Sequence, residues 1–252
     1  MRGRIVIFLR IILRTMNKKT IKHVKIVSTL LLLGIFGNRA SAQDWPALKF
    51  YQEANQRADQ EHPKEKRVVF MGNSITQIWG DIDPGFFEQH KNFINRGISG
   101  QTTPQMVLRF RQDVINLKPA VVVILGGTND IAGNTGPATL DEIFGNLVSM
   151  MELAKANHIH VVISSILPVF DYPWKKGLEP AGKIIELNER LKKYAAQQHN
   201  VYLDYHSVMK DERNGLKSSL TRDGVHPTLA GYKIMEPLLE KAISQALNQK
   251  YK

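Results

Sequence analysis

The chain has 252 residues, 43% of them apolar and 23% charged, a balance that fits neither disorder nor a collagen-like repeat. It has no cysteine, which removes disulfides, thiol nucleophiles, Cys-ligated zinc and iron–sulfur clusters. The formal charge of +11 suggests a polyanionic partner, but nine basic residues and no acidic one fall within residues 1–42. The rest of the chain holds 25 basic residues against 23 acidic, a charge of +2, so no nucleic-acid partner is expected.

The basic stretch Asn17-Lys18-Lys19-Thr20-Ile21-Lys22 precedes an apolar run from Ile26 to Phe36, followed by Ala40-Ser41-Ala42. Basic, apolar, then Ala-x-Ala reads as a secretory signal peptide. The run is about 11 residues at ~1.5 Å each, short for a ~30 Å hydrocarbon core. An uncleaved anchor is the alternative. Met16 is a possible true start. The expected division is a signal peptide over 1–42, an N-terminal helix and linker over 43–66, and one domain over 67–252. The mature protein is then exported, periplasmic or extracellular, with no stable membrane insertion after cleavage.

From Trp45 to Gln60 the apolar residues are loosely helical, and a charged linker follows from Asp59 to Lys66. After it, short apolar runs alternate with longer amphipathic stretches. The runs are Val68–Met71, Phe93-Ile94, Ala120–Leu125, Val161–Ile163 and Val201–Leu203. Continuous β-branched runs of this kind are buried parallel strands. The helical stretches are Pro104–Leu117, Thr139–Asn157, Ala181–Gln198 and Thr228–Leu247. Thr139 with Glu142 fits a capping box, and Thr228 fits an N-cap. Five strands alternating with helices predict a three-layer α/β/α sandwich on a five-stranded parallel sheet.

Ligands of such sheets sit beyond the carboxyl ends of the strands, so the loops there carry the search. After the first strand comes Gly72-Asn73-Ser74-Ile75-Thr76. A serine at a strand-to-helix turn has backbone N–H groups beside its hydroxyl, although an isolated serine there is more often only a cap. Thr76 stands where an α/β-hydrolase elbow would have its second glycine. After the second strand, Gly97 and Gly100 frame a turn; after the third comes Gly126-Gly127-Thr128-Asn129-Asp130. The Asn129 amide can donate to an oxyanion, though Asn also favours turns. Near the C-terminus, Asp223 stands three residues before His226, close enough to fix the imidazole tautomer, or to form a loose surface pair. Together these residues supply a nucleophile, a base, an orienting acid and oxyanion donors, the set that acyl transfer needs.

These four segments resemble the sequence blocks of the SGNH/GDSL esterase family over most of residues 66–247, in order and spacing. The stretch from Asn95 to Asp130 is similar to the platelet-activating-factor acetylhydrolase-like branch. The resemblance implies a flavodoxin-like sheet and serine ester hydrolysis without a metal or other cofactor. By position it makes Ser74 the nucleophile, His226 the base and Asp223 its orienting acid. The oxyanion donors would be the N–H groups of Ser74 and Gly100 and the Asn129 amide. The family's first block usually reads Gly-Asp-Ser, and Asn73 replaces that Asp.

His158-x-His160 starts a strand and is read as surface rather than as metal ligands. Lys175-Lys176 reads as a solvated loop and Met150-Met151 as helix core. The run Phe170-Asp171-Tyr172-Pro173-Trp174 follows the fourth strand and divides evenly between a pinned loop and a substrate-cleft lining. The expected partner is a small-molecule or glycan ester, with acetylated carbohydrate preferred. The alternatives are a lysophospholipase or lipid acylhydrolase, and a noncatalytic glycan-binding domain on the same scaffold.

Overall fold

A computed structural model describes residues 44–250, so the signal-peptide reading of 1–42 lies outside the described residues. In chain order the elements are α1 (Gln52–Glu61), β1 (Val68–Gly72), α2 (Ser74–Ile82), α3 (Pro84–Gln89), β2 (Phe93–Gly97) and α4 (Thr103–Asp113). A 3₁₀ turn at Ile115–Leu117 leads to β3 (Val121–Leu125), α5 (Thr128–Ile131), α6 (Leu140–Ala156), β4 (His160–Ser164) and α7 (Pro180–Gln197). Then come β5 (Val201–Leu203), α8 (His206–Met209) and α9 (Leu229–Leu247).

The five strands pair in parallel in the order β2-β1-β3-β4-β5, the flavodoxin-like arrangement. Val68 aligns with Phe93 on one side and Val121 on the other, so β1, β2 and β3 end level at Gly72, Gly97 and Leu125. Strand order reverses at β1, and the crevice beyond its carboxyl end is where such a sheet binds ligand.

Successive strand side chains point to opposite faces, and two apolar cores result. Val69, Met71, Val122 and Ile124 pack under α4, α6 and α7; Val68, Phe70, Val121 and Val123 pack under α2, α3 and α9. Burial on both faces is why the strands read as unbroken apolar runs. On the second face Trp79 of α2 stacks on Tyr232 of α9 at 4.9 Å, and the Tyr232 hydroxyl donates to the Ile75 carbonyl at 2.7 Å. The helix that begins at Ser74 is thereby fixed to the last helix.

Several sequence expectations need correction. The helical spacing from Trp45 becomes helix only at Gln52; before that, the Asp44 carboxylate accepts the N–H groups of Leu48 and Lys49 and closes a turn. The linker is pinned by Arg67, which is fully buried and donates to the carbonyls of His62 and Leu117 at 2.8 and 2.7 Å. The stretch Pro104–Leu117 is broken after Asp113, with Lys118 in the left-handed region at φ 50°. Thr139 and Glu142 do form a capping box, and Thr228 is the N-cap residue of α9, though its side chain makes no cap bond. Helices α2 and α3, between the first two strands, were absent from the helical stretches read in the sequence.

Candidate active site

Ser74 is the first residue of α2, directly after β1, and is buried. Asn73 caps this helix: its side-chain oxygen accepts the Ile75 N–H at 3.1 Å. Replacing the family's Asp by Asn therefore keeps the cap, although the Asn73 amide nitrogen is buried with no partner among the described residues. The Ser74 N–H belongs to the first turn of α2, whose donors have no partner within the helix.

His226 comes from the loop before α9. Its Nε2 lies 2.9 Å from Ser74 Oγ, across 152 residues of sequence. Its Nδ1 lies 2.7 Å from Asp223 Oδ2. The other Asp223 oxygen accepts the N–H groups of Val225 and His226 at 2.9 and 2.8 Å. Partial burial pushes the Asp223 carboxyl up, but the His226 ring and these two backbone donors outweigh it and hold it at about 2. An ionised acceptor on Nδ1 requires a proton there, which leaves Nε2 free to accept the hydroxyl proton.

The second side of the site comes from the loops after β2 and β3. Gly97 ends β2 so close to α2 that an added Cβ would stand 2.2 Å from the Gln77 backbone nitrogen. Three residues on, Gly100 turns the chain at φ 77°, where an L side chain is strained. Asn129, buried on α5, donates its amide to the Gln101 carbonyl at 2.9 Å. An amide has two hydrogens, so one remains. Gly100 and Asn129 are thus joined through the residue between them.

Three buried polar groups that the sequence reading did not assign hold this side together. Arg109 donates to the Gly72 carbonyl at 2.9 Å, to the Gln101 side chain at 2.5 Å and to Asp113 at 3.1 Å. It therefore ties the strand end before Ser74 to the residue after Gly100. Asp130 accepts the Thr103 N–H at 2.9 Å and the Thr103 hydroxyl at 2.6 Å. Burial pushes the Asp130 carboxyl up to about 6 despite these donors. Gln101 also donates to the Pro46 carbonyl at 2.8 Å, so the N-terminal segment rests on the same loop. A signal for Arg109 was present: it and Asp113 stand four apart on the apolar face of α4 with Met106 and Phe110. A charged pair at that spacing on a buried face serves a purpose other than solvation.

The aromatic run is divided in its roles. Tyr172 is fully buried, and its hydroxyl donates to the Thr128 carbonyl at 2.9 Å. Trp174 is 47% exposed, with its ring centroid 6.2 Å from that of His226. Met150 and Met151 are buried in the α6 core. Among the described residues, no three His, Asp or Glu side chains gather to hold a metal ion. A cavity of about 700 Å³ lies beyond the amino ends of the strands, lined by Lys66, His90, Ala120 and His160, at the opposite edge of the sheet from Ser74.

The model of the GDSL-like lipase/acylhydrolase family matches residues 70–234. A solved GDSL-like lipase from Bacteroides thetaiotaomicron VPI-5482 is 48% identical, with a TM-score of 0.76 over 80% of this chain and 98% of that one. The chain is also similar to an acetylxylan esterase of Geobacillus stearothermophilus, at 24% identity over 68% of this chain and 90% of the relative. It is 32% identical over 51% of its length to an uncharacterized lipoprotein, YqeF, of Bacillus subtilis (strain 168), and that match spans 54% of the relative.

Proposed function

The chain belongs to the GDSL-like lipase/acylhydrolase family of carboxylic ester hydrolases, and on that premise we propose that it is an exported acetyl esterase acting on acetylated carbohydrate through an acyl-enzyme on Ser74. The observation that carries the reading is the chain of contacts from Asp223 through His226 to Ser74, at 2.7 and 2.9 Å.

In the first step His226 Nε2 takes the Ser74 proton as Oγ attacks the ester carbonyl. The negative charge that forms on the carbonyl oxygen is met by the N–H groups of Ser74 and Gly100 and by the second Asn129 hydrogen. As the intermediate collapses, the carbon–oxygen bond to the alcohol breaks and His226 gives its proton to the leaving oxygen. Water then repeats the sequence on the acyl-enzyme, releasing the acid and restoring Ser74. Asp223 stays ionised and steadies the imidazolium in both steps.

The acetylated-carbohydrate reading is supported by the acetylxylan esterase relative and by the sequence pattern of a signal peptide, which would release the enzyme among polysaccharides. The test is acetate release from acetylated xylan, measured beside fatty-acid release from a lysophospholipid. The expected result is rapid acetate release by the wild type, none above background by Ser74→Ala, and little fatty acid. Preferential fatty-acid release would replace the proposal with a lipid acylhydrolase. Failure of both with intact fold would favour a noncatalytic glycan binder.

A further inference from the structure

Trp174 occupies a position that the mechanism leaves unused. It stands at the apex of a tight loop closed at both ends: the Asp171 carboxylate accepts the N–H groups of Tyr172 and Gly177 at 3.0 Å each. Its ring lies 5.3 Å from that of Tyr172, which is anchored on Thr128, the neighbour of Asn129. One large indole is thus held on a rigid buried support beside His226, with nearly half of its surface in solvent.

The direction of proton flow says which part of a substrate meets this ring. His226 receives the hydroxyl proton and returns it to the leaving oxygen, so the leaving alcohol must lie against His226. The carbonyl oxygen points the other way, toward Gly100 and Asn129. A ring beside His226 therefore borders the leaving group and not the acyl chain. The π face of an indole is electron-rich, and the C–H groups on one face of a pyranose are weakly positive and apolar. The Lys175 ammonium nitrogen lies over Gly133, only 2.8 Å from where a Cβ there would stand, and the Asn134 amide reaches the Gly100 carbonyl at 3.4 Å. One aromatic face with such polar groups across the site fits a sugar ring better than an acyl chain.

We propose that Trp174 is the stacking platform of a leaving-group subsite, binding the sugar ring whose acetyl ester is cleaved and so setting the preference for carbohydrate esters. This rests on the acetylated-carbohydrate reading above. Trp174 contacts the departing alcohol only, so its effect vanishes when that alcohol is too small to reach it.

The experiment compares wild type, Trp174→Ala and Trp174→Phe on acetylated methyl xyloside and on ethyl acetate. Trp174→Ala should lose roughly tenfold in kcat/KM on the xyloside, mostly through KM, as expected for one lost stacking contact. Its kcat/KM and pH profile on ethyl acetate should stay within about twofold of wild type, and Trp174→Phe should keep most of the xyloside activity. Equal losses on both esters would overturn the proposal, because Trp174 would then act by positioning His226. Unchanged xyloside kinetics in Trp174→Ala would overturn it alone. A wild type that turns over ethyl acetate but not the xyloside would overturn the substrate reading along with it.

Discussion

The two sides of Ser74 are built in opposite ways. On the Gly100–Asn129 side, Asn129, Asp130, Gln101, Arg109 and Thr103 are all buried, and their contacts join β1, β2, β3 and α4. On the His226 side, Asp223 and His226 stand three residues apart on a partly exposed turn, and Asp223 is satisfied by the backbone of that turn. A donor to a developing charge gains most when it is fixed before the reaction, in surroundings that exclude water. A base that takes and returns a proton needs only its tautomer and its reach to be set, and one carboxylate does both. The buried side is therefore where distant substitutions should matter most.

The largest expected effect comes from breaking the tie between the strand end and the Gly100 loop. Arg109→Met leaves the buried Asp113 carboxylate with the Asn55 amide but no cation, leaves the Gly72 carbonyl with the Ile98 N–H alone, and removes the donor from the Gln101 side-chain oxygen. Removing one member of a buried pair costs about 3–5 kcal/mol, read as a lowered denaturant midpoint. Surviving folded enzyme should show reduced kcat, since Gln101 flanks Gly100. Adding Asp113→Leu should recover much of the stability while kcat stays low. Recovery of kcat as well would mean that Arg109 does not position the loop.

Asn129 sharpens the comparison at the next scale. Losing one oxyanion donor costs ~100–1,000-fold in kcat, about 2.7–4 kcal/mol. Asn129→Asp, which sets a negative charge toward a developing one, should fall below Asn129→Ala, with KM little changed in both. Near-wild-type kcat in both folded variants would limit Asn129 to holding the Gln101 carbonyl.

The smallest effect is a difference in sign between two carboxylates. Asp223 is held at about 2 in the folded protein, below its ordinary 3.8, so its contribution to stability is present above about pH 4 and is lost as pH falls toward 2. Asp130 is raised to about 6, so the folded protein binds the extra proton and stability falls as pH rises from about 4 to 6. Asp130→Asn should remove that decline and Asp223→Asn should flatten the acid limb, both measured by melting temperature against pH. Parallel curves for wild type and Asp130→Asn from pH 4 to 6 would contradict the account of Asp130.

The same contrast explains what could be read from the sequence. The strands were legible because burial on both faces leaves continuous β-branched runs, as in Val121–Leu125. Asp223 and His226 were legible as a pair because their interaction is local, and Ser74 because it follows a strand. Arg109 and Gln101 were not assigned because their partners lie 37 and 55 residues away, and only the sheet order brings them together. The start of α2 was legible at Ser74, but its extent was not, because Gly80, Asp81 and the Asp83-Pro84 pair interrupt its short apolar pattern. The segment from Trp45 misled in the other direction: helical spacing was present, but the Asp44 carboxylate supplied a turn instead.

The most direct test of the central claim is covalent capture of the nucleophile. Wild-type enzyme is treated with a fluorophosphonate, digested, and the modified residue found by peptide mass spectrometry. The account predicts one adduct, on Ser74, forming quickly in the wild type and far more slowly in His226→Ala, whose serine lacks a base. An adduct on another serine, or equally fast labelling of Ser74 in folded His226→Ala, would contradict it.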